Sequence, residues 1–439
     1  MPHSSRASIA SAVVSCLLAP PTSGLAYPID GGAYSGIGRL EYQRRVEAGE
    51  LPGRKRPPGE LLPLAEVDLR LGDARTLELP AADSALSQAL ARLLGADADR
   101  YGLALLDLSD PERIRYAEWN GRLTQNPGSV GKLIVALAIF QALADAHPDD
   151  IPARERILRE RVVVADDFSV SDHHTVPFWD PIGAKLTRRP LREGDRATLW
   201  TYLDWMLSPS SNSAAGMLQR ELLLIRHFGA AYPPDAEEEQ RYLGETPKSE
   251  LGLQFAAAIQ EPVTRNGLEL ESLRQGSFFT HRGKQRVPGT SSHATARELV
   301  RFLLRMEQGR LVDEWSSREI KRLLYQTERR IRYAAAPTLA DAAVYFKSGS
   351  LYSCEPEPEF VCRKYHGNQR NYMNSAAVVE APAGERRLHY LVALLSNVLR
   401  KNSAAAHAEL ARGVHAKLRA DHADRLRAVD QAASEKRAQ

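Results

Sequence analysis

What the sequence lacks narrows the field first. Across 439 residues there are 58 basic and 55 acidic side chains, a formal charge of +3, and no dense basic run. The stripe of lysine and arginine that tracks nucleic-acid phosphates is missing, so nucleic acid is not an expected partner. Beyond the N-terminus no stretch is apolar for long enough to span a bilayer. Cysteine is scarce, with only Cys16, Cys354 and Cys362. The later pair cannot complete a tetrahedral zinc site without two further ligands, and His366 is the only histidine nearby. No internal repeat is present.

What remains is a globular composition. The chain is 43% hydrophobic and 26% charged, close to the average for folded proteins, and long enough to bury a sizeable core. One large domain with additions is expected. At the N-terminus, Arg6 precedes small and apolar residues over 7–18, then a Pro-Pro break and Ser23-Gly24-Leu25-Ala26. That order reads as a secretory signal peptide over 1–26. Val13-Val14-Ser15-Cys16 offers an alternative, a lipobox in which Cys16 would carry a lipid anchor. Without Cys16 an even pair is left. Cys354 and Cys362, with seven residues between them, would close as a disulfide in an oxidising compartment and stay two idle thiols in a reducing one.

Residues 27–80 are rich in Gly, Pro and Arg and read as an extended arm, with helical spacing only over 39–50. A helical pattern over 81–96 leads into strand-like runs at 101–108 and 113–119. A long apolar helix over 129–146 opens a mostly helical middle that runs to about 326. Strand-like runs follow at 342–352, 374–380 and 388–395, then a helix over 403–420 and a charged tail over 421–439. Strands at both ends with helices between describe an α+β sandwich: an antiparallel five-stranded sheet flanked by the terminal helices, with an inserted all-helical region.

Three short motifs fall in order along this frame: Ser129-Val130-Gly131-Lys132, Ser210-Ser211-Asn212 and Lys347-Ser348-Gly349. Each alone has an ordinary structural reading, as a helix cap, a turn or a strand-end charge. Together, each on its own element, they resemble the SxxK, SDN and KTG set of the class A β-lactamase and penicillin-binding protein superfamily. The resemblance covers 81–420 and implies a serine acyl-hydrolase domain there. It implies Ser129 as nucleophile, with Lys132, three residues on and on the same helix face, as its base. Burial and the Lys347 charge would lower the Lys132 pKa enough for that role. Ser210 would relay a proton to the leaving nitrogen. Asn212 would bind the substrate amide, Lys347 and Ser348 the substrate carboxylate. The backbone N–H groups of Ser129 and Ser350 would form the oxyanion hole, and side-chain-free Gly349 would let the substrate approach the strand. The implied substrate is a β-lactam or a peptidoglycan stem peptide, the location the bacterial periplasm or envelope, and no cofactor or metal is called for. The alternative is a catalytically silent envelope protein on the same scaffold.

Two departures qualify the likeness. Ser211 stands where class A enzymes commonly have Asp, and Ser348 where they have Thr. Class A enzymes also deacylate with a glutamate in an ExxLN context between the second and third motifs, and none of Glu245, Glu250, Glu261, Glu269 or Glu271 is followed by Leu-Asn. The separations, 81 residues from Ser129 to Ser210 and 137 from Ser210 to Lys347, imply insertions. Asp172-His173-His174 lies between the first two motifs. Adjacent histidines face different ways on most backbones, so this segment reads as packing at the cleft edge rather than a metal site.

Overall fold

The computed structural model describes residues 30–170 and 172–438. The signal peptide expected over 1–26 and Cys16 lie outside the described residues. Five strands form the main sheet: β1 (Tyr101–Asp107), β2 (Arg115–Trp119), β3 (Ala343–Ser353), β4 (Arg370–Ala381) and β5 (Leu388–Asn397). Their spatial order is β2-β1-β5-β4-β3, antiparallel at every pairing. β5, late in the chain, therefore sits beside β1, with Tyr101 opposite Ser396.

Side chains alternate across a strand, so each half of the sheet feeds two cores. Leu103, Leu105, Val344 and Phe346 face one side, where they meet helices α2 (Ser84–Leu94) and α9 (Ser403–Asp421) through Leu86, Leu90, Leu410 and Val414. Leu106, Ala343, Tyr345 and Ala393 face the other, against the helical region. That region is built around α3 (Lys132–Ala146), whose residues 132–144 are all buried. Packed on or near it are α4 (Leu199–Leu207), α5 (Asn212–Phe228), α6 (Lys248–Arg265), α7 (Ala296–Glu307) and α8 (Glu314–Tyr325). The five-stranded sheet flanked by terminal helices agrees with the sequence expectation.

Three details differ from it. The middle region is not only helical, because Thr175–Asp180 and Lys185–Pro190 pair as a hairpin. Residues 30–80 hold, besides helix α1 (Gly38–Glu47) where helical spacing was expected, a short helix (Gly31–Ser35) and three single 3₁₀ turns. They are tied down by buried charge, since Arg39 donates to the fully buried Asp204 on α4 at 2.7 Å. The tail forms a separate helix, Ala423–Ala438, after a break at His422.

Candidate active site

Ser129 lies on a 3₁₀ turn, Gly128–Gly131, that precedes α3. The sequence pattern had begun the α-helix at the serine itself; a tight first turn is a common entry to a helix. The turn is pinned to the sheet. Gln125 bridges to Ala294 through two backbone hydrogen bonds, and Asn374 on β4 donates to the Asn126 carbonyl. β3 runs alongside, and a Cβ on Gly349 would fall 2.4 Å from the Pro127 oxygen and 2.6 Å from the Ser129 nitrogen. Gly349 is thus required by the approach of the Ser129 turn itself, a nearer cause than room for a ligand. The same approach leaves the Ser129 nitrogen beside Gly349 and the Ser350 nitrogen beside Gly128.

Lys132 joins the first two motifs. Its Nζ is 3.1 Å from Ser129 Oγ, 2.6 Å from the Ser210 carbonyl, 2.8 Å from Asn212 Oδ1 and 3.3 Å from Ser210 Oγ. Burial lowers its pKa to about 7, with only the Asp172 carboxylate pulling the other way. A neutral amine has two N–H groups and one lone pair. The two shortest contacts take the N–H groups, which leaves the lone pair for the Ser129 hydroxyl.

Ser210 holds a left-handed backbone, φ 65°, a conformation that costs a non-glycine residue energy and is tolerated where the surroundings fix it. Its Oγ accepts from Lys347 at 2.9 Å, so the second and third motifs also meet. Lys347 is buried on β3 opposite Ala376. Burial, with the charges of Lys132 and Arg332, drives its pKa well below the ordinary lysine value. Ser129, Lys132, Ser210, Asn212 and Lys347 are therefore one hydrogen-bonded cluster.

One participant escaped the sequence reading, and a second was read only as packing at the cleft edge. Arg332 donates from Nη1 to Ser348 Oγ at 3.0 Å and from Nη2 to Ser350 Oγ at 2.9 Å, and its guanidinium lies 4.9 Å from the Tyr365 ring. Nothing in its neighbourhood marks it beyond standing fifteen residues before Lys347 in an arginine-rich run. Asp172 is the second. Its Oδ2 accepts from the Ser211 hydroxyl at 2.9 Å and from the backbone nitrogens of Asn212 and Ser213 at 2.6 and 3.1 Å. A carboxylate is thus supplied from another segment at the motif where Ser211 replaces the family's Asp. That segment reaches the α5 N-terminus because Ser213 Oγ donates to the Ser169 carbonyl and Gly216 leaves room for the Phe168 carbonyl, 2.5 Å from where a Cβ would stand.

His174 Nδ1 meets Asp172 Oδ1 at 2.6 Å, and the His173 and His174 rings stack 4.3 Å apart. The two histidines thus face the same way, contrary to expectation. On the opposite side Lys132 faces the Phe279 ring at 4.9 Å, and Gln275 packs against Gly131. The glutamates of the 245–271 window sit elsewhere. Glu261 pairs with Arg226, Glu269 with Arg301, and Glu250 accepts from Gln254, while Glu245 and Glu271 are exposed. Cys354 and Cys362 are joined as a disulfide, with Cα atoms 5.8 Å apart, in the loop between β3 and β4 that carries Tyr365.

Residues 251–418 match the model of a family described as the β-lactamase enzyme family. Similar solved structures include a β-lactamase from Sphaerobacter thermophilus, 14% identical over 74% of this chain and 95% of that one, TM-score 0.49. Others are PBP-A, 14% identical over 78% and 99%, TM-score 0.49, and a β-lactamase from Chitinophaga pinensis, 16% identical over 75% and 96%, TM-score 0.48. No curated protein matches the chain. The family match begins after the first two motifs, so Ser129, Lys132, Ser210 and Asn212 rest on the motifs and on their geometry. Residues 251–418, which carry the third motif, are thus similar to the β-lactamase enzyme family.

Proposed function

We propose that this chain is an exported serine acyl-hydrolase that forms an acyl-enzyme on Ser129 with a β-lactam or a D-Ala-type peptide. The observation that carries the reading is the Ser129–Lys132 contact, in which a buried lysine with a pKa of about 7 meets a half-buried serine hydroxyl. A base with that pKa is half free near neutral pH and well matched to take the serine proton. As Oγ bonds to the substrate carbonyl carbon, its proton passes to Lys132 Nζ. The carbon–nitrogen bond then breaks, and the Ser210 hydroxyl, which accepts from Lys347 and lies 3.3 Å from Lys132 Nζ, relays a proton to the leaving nitrogen. The backbone nitrogens of Ser129 and Ser350 receive the oxyanion.

Charge supports the substrate class. Lys132, Lys347 and Arg332 converge on the cluster, and among the described residues the only anion acting on Lys132 is Asp172, already committed to the second motif. A substrate carboxylate would complete the balance, held by Lys347, Ser348 and the Arg332 fork. Export fits the Cys354–Cys362 disulfide, which persists in oxidising compartments.

The test is covalent labelling. A fluorescent penicillin should modify the wild type with one equivalent and leave Ser129→Ala unmodified. Labelling that persists in Ser129→Ala would sink the assignment of the nucleophile.

A further inference from the structure

An acyl-enzyme is released only when water attacks it, and that water must lose a proton to a base. Around Lys132 one side is closed by the Phe279 ring and the Gln275 amide, neither of which is a base. The carboxylate on the other side, Asp172, has both oxygens engaged: Oδ2 by Ser211, Asn212 and Ser213, Oδ1 by the His174 backbone and ring. Next along that chain of contacts is His174. With Nδ1–H donating to the carboxylate, its Nε2 carries the lone pair, and among the described residues Nε2 has no hydrogen-bond partner. The side chain is 29% exposed, so water reaches it.

We propose that His174, oriented by Asp172, is the base that draws the proton from the water that hydrolyses the acyl-enzyme. The inference rests on the acyl-enzyme reading above. The arrangement follows the logic of a carboxylate-oriented histidine, where the partner fixes the tautomer and steadies the imidazolium that forms. Water oxygen bonds to the ester carbon while its proton goes to Nε2. Collapse breaks the carbon–Oγ bond and returns its electron pair to Oγ. Oγ recovers a proton through the Lys132 amine as the imidazolium gives up its own, so serine, lysine and histidine end as they began. The groups facing His174 favour the neutral, accepting form at neutral pH. Burial and the charges of Lys132 and His173 lower its pKa, against the opposing pull of Asp172.

Intact-mass spectrometry of the full chain, acylated with penicillin and freed of excess drug, reads the step directly. In the wild type the adduct should decay, faster as pH rises through the imidazole titration. In His174→Asn the adduct should still form but decay about 10²-fold more slowly, within the usual range for loss of a general base, and without that pH limb. Added imidazole should restore part of the rate. Asp172→Asn should also slow decay, and a thermal melt separates that effect from loss of the α5 cap. Wild-type decay in His174→Asn, or a wild-type adduct that does not decay, overturns the inference while leaving the acyl-enzyme reading intact. A wild type that takes no label at all overturns both.

Discussion

On the proposed acyl-transfer reading Lys132 is the residue on which the chemistry turns, and its buried position dictates a pH signature. Acylation needs the neutral amine, so its rate should climb as pH rises through about 7 and level off above, measured as labelling rate against pH. Lys132→Arg keeps charge at every pH and should lose roughly 10²- to 10⁴-fold in acylation rate. Arg332 should matter differently. Removing a charge-assisted fork costs about 1.5–3 kcal/mol, so Arg332→Ala should lower kcat/KM by about ten- to hundredfold for a substrate bearing a carboxylate. The same change should leave a neutral ester analogue nearly unaffected. The sequence disclosed Ser129, Lys132, Ser210 and Lys347 because each motif is local and sits on a legible element. It did not disclose Arg332, nor the contacts of Asp172, whose partners lie 16 and 39 residues along the chain, at Ser348 and at Ser211. No spacing encodes a contact made by tertiary folding.

Among the elements, the segment before α2 is the least legible and the most firmly tied. Arg39 on α1 meets Asp204 inside α4, and the Arg70 guanidinium donates to Glu380 on β4 at 3.1 Å. Lys321 on α8 lies between Glu307 and Glu380, at 2.7 and 2.8 Å, with all three side chains fully buried. Deleting one member of such a group leaves uncompensated charge in the interior. Arg39→Ala and Lys321→Met should each cost about 3–5 kcal/mol in urea unfolding at pH 7. Pro- and Gly-rich sequence hid these anchors, because composition reports turn chemistry and not what a lone arginine reaches. The hairpin over 175–190 was hidden for a related reason. Pro177, Gly183 and Pro190 read as loop punctuation, and proline enters strands only where the ladder can spare its N–H.

For the molecule as a whole, the decisive feature is that β5 fills the gap between β1 and β4. Sheet pairings as distant as Tyr101 with Ser396 are slow to form, because loop closure comes before any contact repays it. A chain ending before Leu388 should remain sensitive to protease and take no penicillin label, even though it contains every residue of the three motifs. The full chain should resist protease and label. The alternation of strands and helices made the two halves of this sheet visible in the sequence, since Leu103, Leu105, Val344 and Phe346 follow a period of two. Their order across the sheet was not visible in that period. Birth of the protein is governed by this order: the ribosome must finish almost the whole message before the gap can close. Until then the polypeptide is held open by its own topology. On the proposed export, that delay would be a window in which the chain is still fit to be threaded across a membrane.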